Sequence, residues 1–181
     1  MTDHHTAKEI EAKLTSQDAN LIDACVEMAK DLISSEQSRA EAVDAKANNL
    51  LGFSGIIAAL TVDLSGLIQS VYEKNLCLSI LLGTMYVFMY GAMFTAIWYA
   101  FGGRRRVITA RPNVDDIIEF QNVGVLEAKR KWLSNMISSY KITLENVNRK
   151  VTLVYTAQQY LIIALTLLIT STGLALAAIL L

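Results

Sequence analysis

Residues 50–62, 76–101 and 151–181 of this chain contain no Asp, Glu, Lys or Arg. Segments that stay uncharged for so long have few ways to fold. Core helices of globular proteins rarely do so over a run such as Leu76–Phe101, and three of them would overfill the interior of a chain of 181 residues. A lipid bilayer accommodates them, because its hydrocarbon core of about 30 Å is crossed by about 20 helical residues. The composition agrees: 53% hydrophobic, 18% charged and a mean hydropathy of +0.37 lie outside the usual soluble range. The expected fold is all-α, an integral membrane protein with three transmembrane helices.

The first span opens at Asn49–Leu50 and reaches Tyr72, interrupted by Asp63 alone. The second runs from Leu76 to Phe101, where Gly102 and Gly103 are expected to stop the helix ahead of Arg104, Arg105 and Arg106. Trp98, Tyr99 and Phe101 suit a belt at headgroup level. Few residues separate these two spans, so they form a hairpin with both outer ends on one side. The third span extends from Leu161 to Leu181. Five basic residues precede the first span and ten lie between the second and third, against Lys74 alone in the hairpin loop. The positive-inside rule then places residues 1–47 and 102–157 in the cytoplasm and the C-terminus outside. Four segments follow: a cytoplasmic amphipathic helix (1–47), a transmembrane hairpin (48–101), a basic cytoplasmic segment with a stalk helix (102–157) and a last transmembrane helix (158–181). No cleavable signal peptide is expected, since the first apolar run begins too late.

Residues 6–47 lack Gly and Pro and place Ile10, Leu14, Leu21, Cys25, Met28 and Leu32 at helical spacing. A break is expected at Thr15, where Thr15-Ser16-Gln17-Asp18 offers an N-cap. Further on, Pro112 ends an extended piece and Asn113 caps a restarting helix with Asp115 and Asp116 in its first turn. From Leu133 the positions Leu133, Ile137, Tyr140, Leu144, Val147, Val151 and Val154 alternate steps of four and three, an a/d heptad seam. With no breaker before Gly173, one helix is expected from about Val125 into the third span. Its cytoplasmic stalk of about 30 residues would reach roughly 45 Å. The seam has two possible partners, the N-terminal helix of the same chain or copies of itself. Residues 1–47 carry −5 and residues 102–157 carry +5, which favours the first.

Among candidate functional residues, Asp63 stands out because an intramembrane carboxylate is costly. It either faces a pore wall or helix contact, or caps a short interfacial helix from Leu64 to Tyr72. Gly52, Ser54, Gly55, Ala58 and Ala59 in the first span, and Ala92, Ala96 and Ala100 in the second, allow close helix approach. Thr166, Thr170, Ser171 and Thr172 line a wet cavity or bond back to the preceding turn. Arg104, Arg105, Arg106 and Arg111, with Lys129, Arg130 and Lys131, are the groups best able to hold a phosphate-bearing ligand or anionic headgroups. A net charge of −1 excludes a nucleic-acid polymer bound through global basic charge. His4 and His5 lack an evident metal partner, Cys25 and Cys77 do not read as a disulfide pair, and no catalytic or nucleotide-binding fingerprint occurs. No cofactor and no enzymatic activity are expected.

Where the polar helix turns into the first span the chain reads Asp44-Ala45-Lys46-Ala47-Asn48-Asn49-Leu50-Leu51-Gly52-Phe53-Ser54-Gly55. This resembles the transmembrane effectors of Pycsar (pyrimidine cyclase) anti-phage systems, in which Asp, a variable residue and Lys-Ala lead to Leu-Leu-Gly and a small-rich apolar run. The stretch Asn146-Val147-Asn148-Arg149-Lys150 before the last span is similar to that family's polar approach to the membrane. The resemblance marks Asp44, Lys46, Asn48, Gly52 and Gly55 as a membrane-approach motif. It implies a multi-pass protein of the bacterial inner membrane with a cytoplasmic N-terminus, activated by cyclic CMP or cyclic UMP. It also implies homo-oligomers that disrupt membrane integrity and so abort infection. The alternative is a constitutive membrane scaffold or accessory subunit that docks a cytoplasmic partner.

Overall fold

The structure, a computed structural model, describes Ile10, residues 18–104 and 124–180, with only the backbone at residues 62–65, 67, 68, 70 and 72–74. The expectations that rest on His4, His5, Leu14, Thr15, Ser16, Gln17, Arg105, Arg106, Arg111 and Pro112–Asp116 lie outside the described residues. Three helices make up the described chain, with no strand among them: α1 (Ala19–Lys74), α2 (Leu76–Gly103) and α3 (Val125–Leu180). The third starts at Val125 as the heptad pattern predicts.

Local chemistry sets the ends. At the start of α1, Asn20 N–H donates to Asp18 Oδ1 at 2.9 Å, a side-chain N-cap. Asn75 alone separates α1 from α2: its Oδ1 accepts from Leu78 N–H at 3.2 Å, while its own N–H donates to Val71 O at 2.9 Å. One residue therefore both closes one helix and caps the next, which makes the hairpin tight. At its other end α2 continues through Gly102 and Gly103 to Arg104, whose N–H bonds back to Ala100 O. Both glycines are still helical, and the helix stops at Gly103 as expected.

The chain divides into two compact units. One, Met1–Glu41 with Arg106–Arg149, holds 25 of the 33 charged residues and is called the polar unit; the other, Ala42–Arg105 with Lys150–Leu181, is the apolar unit. In the polar unit α1 and α3 run parallel, with Ile22 and Ala29 packed on Leu133 and Met136 and with Val26, Ile33, Trp132 and Ile137 around them. In the apolar unit three helices share one core. Ile57 of α1, Met89 and Met93 of α2, and Ala164 and Leu168 of α3 form its middle, with Val71, Leu82 and Ala175 beyond.

Periodicity is confirmed and its azimuth is corrected. Along α3 the buried positions are Leu133, Ser134, Met136, Thr143, Val147, Lys150, Val154, Ala157, Ala164, Leu168, Ser171 and Ala175. One row of the expected seam is buried at Leu133, Val147 and Val154 and half-buried at Tyr140, but the other falls on Met136, Thr143 and Lys150 rather than on Ile137, Leu144 and Val151, which are half-buried. Hydrophobicity favoured the wrong row. Thr143 and Lys150 are accommodated because Thr143 Oγ1 donates to Ser139 O at 2.8 Å and Lys150 has a carboxylate partner. A one-residue displacement also occurs on α1, where Ile22 and Ala29 are buried while Leu21, Met28 and Leu32 are 53%, 65% and 47% exposed.

Two helices, α2 and α3, are long and apolar enough to cross a membrane, and only 22% of the apolar window of each is buried inside the chain. The core helix of a soluble protein would be mostly buried. The third expected span falls on α1, partly on residues described by backbone alone. Helix α1 runs unbroken across Asp63, so no new helix begins at Leu64 and the capping role expected for Asp63 is excluded.

Described threonine and serine hydroxyls of α3 in the apolar unit bond to the preceding turn of their own helix. Thr166, Thr170, Ser171 and Thr172 all donate to carbonyls three or four residues back. Thr61 also bonds across helices. Fully buried on α1, it donates to Ala58 O at 2.7 Å and accepts from the Tyr90 hydroxyl of α2 at 3.0 Å, while Tyr86 OH donates to Thr61 O at 3.4 Å. Thr61→Val keeps the shape and removes the side-chain acceptor. It is expected to lower stability by about 1 kcal/mol, the scale of hydrogen bonds between helices in lipid, in thermal unfolding of the detergent-solubilised protein, with Tyr90→Phe giving a similar loss.

Candidate functional site

The most constrained charge in the described chain is Lys150, only 5% exposed although it is a lysine. Its Nζ donates to Asp44 Oδ1 at 2.7 Å. The pair lies where the apolar unit begins on both helices, above a small cluster of Val43, Ala47 and Val154 with Leu50 and Val151 against it. Heptad geometry explains the placement. Lys150 occupies the buried row of α3 one step before Val154, and Asp44 follows the buried Val43 on α1. Ala47 is fully buried and small, which allows α3 close to α1 at this level.

Helix α2 completes the surroundings through Gly103. A Cβ built there would lie 2.6 Å from Val154 Cγ2 and 3.7 Å from Lys150 O. The backbone of α2 thus rests directly on the turn of α3 that bears Lys150, and only glycine fits. Its neighbour Gly102 is under no such restriction, because a Cβ there would meet Leu153 Cδ1 at an ordinary 3.5 Å. On the same end of the unit, Tyr99 of α2 stacks on Tyr160 of α3 with ring centroids 6.0 Å apart and planes at 6°. Trp98 and Phe101 point outward, 70% and 56% exposed.

A second ion pair has the same sequence offset. Lys129 Nζ donates to Asp23 Oδ2 at 2.7 Å in the polar unit, and both pairs are separated by 106 residues. Asp23 to Asp44 and Lys129 to Lys150 are each three heptads, so one pairing rule recurs along α1 and α3. The energetics differ sharply. Asp23 and Lys129 side chains are 54% and 33% exposed, where water screens the attraction and the net gain is small. At the other pair the Lys150 side chain is 6% exposed and Asp44 39%, so losing Asp44 would strand a charge that water barely reaches.

The expected site residues divide accordingly. Asp44 is brought onto Lys150, so the two stretches that carry the family resemblance meet in space. Lys46 and Asn48 are exposed and make no described contact with this pair. Gly52 and Gly55, expected to permit close helix approach, are exposed with nothing within 4 Å of an added Cβ. Of the other expected small residues Ser54, Ala96 and Ala100 are buried, and Gly103, not expected in this role, is buried with them. Within the basic run, Lys129 is held by Asp23, Lys131 lies 3.8 Å from Glu127, and Arg130 is half-buried. Arg104 is exposed at the end of α2.

No match is found among known protein families, curated proteins or solved structures.

The sequence carried one overlooked signal for Lys150, namely the equal offsets of the two Asp–Lys pairs. Nothing in composition singled out Gly103, because a glycine at the end of an apolar helix reads first as a stop.

Proposed function

We propose that this protein is a membrane effector in which an anionic ligand, received on the cytoplasmic side, releases the packing at the base of the apolar helices and lets the bilayer leak. The observation that carries this reading is the Lys150–Asp44 pair. A buried ammonium held by one partly exposed carboxylate is a bistable contact, since a phosphate that competes for Lys150 displaces Asp44 and frees α1 from α3. In this reading α1 supplies a third span between Leu50 and Tyr72, the N-terminus is cytoplasmic, and the membrane is a bacterial inner membrane. The resemblance of the Asp44–Gly55 stretch to Pycsar effectors supports a cyclic pyrimidine nucleotide as the ligand, cyclic CMP or cyclic UMP, and abortive infection as the outcome. Such a ligand acts only if it binds the released state more tightly than the paired one, because equal affinity shifts nothing.

The test is dye release from liposomes that contain the purified protein, titrated with cyclic CMP, cyclic UMP and their purine counterparts. Release with one pyrimidine nucleotide and not with the purines is expected. Absence of release with all four, in liposomes shown to hold protein with its N-terminus accessible, would replace the effector by a constitutive scaffold.

A further inference from the structure

Helix α1 carries two apolar stripes in the polar unit, and α3 covers only one. Ile22, Val26, Ala29 and Ile33 face α3, and Cys25, at the border of the second stripe, also packs against that contact. Leu21, Cys25, Met28 and Leu32, again at steps of four, three and four, lie about 100° further round the helix, at 100° per residue. Leu21, Met28 and Leu32 are among the most exposed large apolar side chains of this unit, and Cys25 is half-buried. The other two, Val125 and Ile142, lie on separate faces of α3. A stripe that repeats on the heptad fits a second helix, and lipid does not reach this unit in the topology proposed above.

We infer that this stripe is a homodimer interface, in which α1 of one protein packs in parallel on α1 of a second copy. Copies inserted in the same direction have parallel α1 helices, so a two-fold axis along the membrane normal sets Leu21, Cys25, Met28 and Leu32 opposite themselves. Charge favours a copy of the same chain. Residues 19–41 have five acids and two bases, whereas residues 125–149 have five bases and two acids. Rotation about the axis carries the copy's basic α3 to the flank of the stripe that bears Asp31, an exposed residue.

Because the inference rests on the proposed topology, the experiment reads the two separately with the native cysteines. A membrane-impermeant maleimide applied to intact spheroplasts should label Cys77, in the hairpin region, and spare Cys25; labelling of Cys25 from outside would overturn the topology. For the interface, the full chain with Cys77→Ser is oxidised in its membranes with copper phenanthroline and run without reductant. A disulfide-linked dimer through Cys25 is expected, since a–a′ neighbours of a parallel pair come within disulfide reach. In a Cys25→Ser, Cys77→Ser background, Leu32→Cys should cross-link as well and Ser34→Cys, on another exposed face, should not. If Cys25 and Leu32→Cys both stay monomeric, or Ser34→Cys links as readily as either, the stripe is covered by something other than a second copy and the inference fails.

Discussion

Asp44→Leu is expected to destabilise the detergent-solubilised protein by about 2 kcal/mol, and adding Lys150→Met should return most of the loss. Breaking a fully enclosed ion pair typically costs about 3–5 kcal/mol, because the surviving charge is left without a partner, and the 39% exposure of Asp44 lowers the expected value. The recovery follows from the same physics. Once both charges are replaced by apolar groups of similar size, no ion remains to be desolvated, and such replacements are often neutral or stabilising. Thermal unfolding followed by circular dichroism measures both variants. If the single variant unfolded like the parent, Lys150 would be solvated in a way that its 5% exposure does not allow. The double variant also bears on function. In the proposed mechanism it is well folded yet fails to release dye on ligand addition, which separates loss of the switch from loss of the fold.

Gly103→Ala should cost about 1–3 kcal/mol, the usual range for overpacking a filled contact, while Gly102→Ala next to it should be neutral or slightly stabilising. The two substitutions add the same methyl group to the same end of α2. They differ only in what that methyl group meets: Val154 Cγ2 at 2.6 Å from position 103, and Leu153 Cδ1 at 3.5 Å from position 102. Leucine can turn its far end away. Valine is branched at Cβ and stiff at χ1, so it cannot yield without moving α3. Val154→Ala combined with Gly103→Ala should therefore restore stability beyond the sum of the single effects, a coupling that the same unfolding experiment reads as a double-mutant cycle.

Both outcomes depend on features that sequence periodicity reaches only in part. Charge-free runs determined that α2 and α3 are long and apolar, and the seven-residue repeat determined that α3 begins near Val125 and continues to the end of the third run. These conclusions need only the chain's own pattern, because helix length, charge exclusion and repeat period are properties of one segment. The azimuth of each buried stripe is different in kind. On α1 both the Ile22–Ile33 row and the Leu21–Leu32 row are apolar, and on α3 the Ile137 row is more hydrophobic than the Met136–Thr143–Lys150 row that is buried. Which row turns inward depends on the partner helix and on whether the polar groups there find hydrogen-bond acceptors. Likewise Gly103 reads as a helix stop until the distance to Val154 is known, and Lys150 reads as one basic residue among ten until Asp44 is seen beside it. Tertiary structure decided these points because burial of a charge or removal of a side chain is settled by a neighbour that is remote in sequence, 106 residues for Asp44 and Lys150 and 51 for Gly103 and Val154, and about 3 Å away in space.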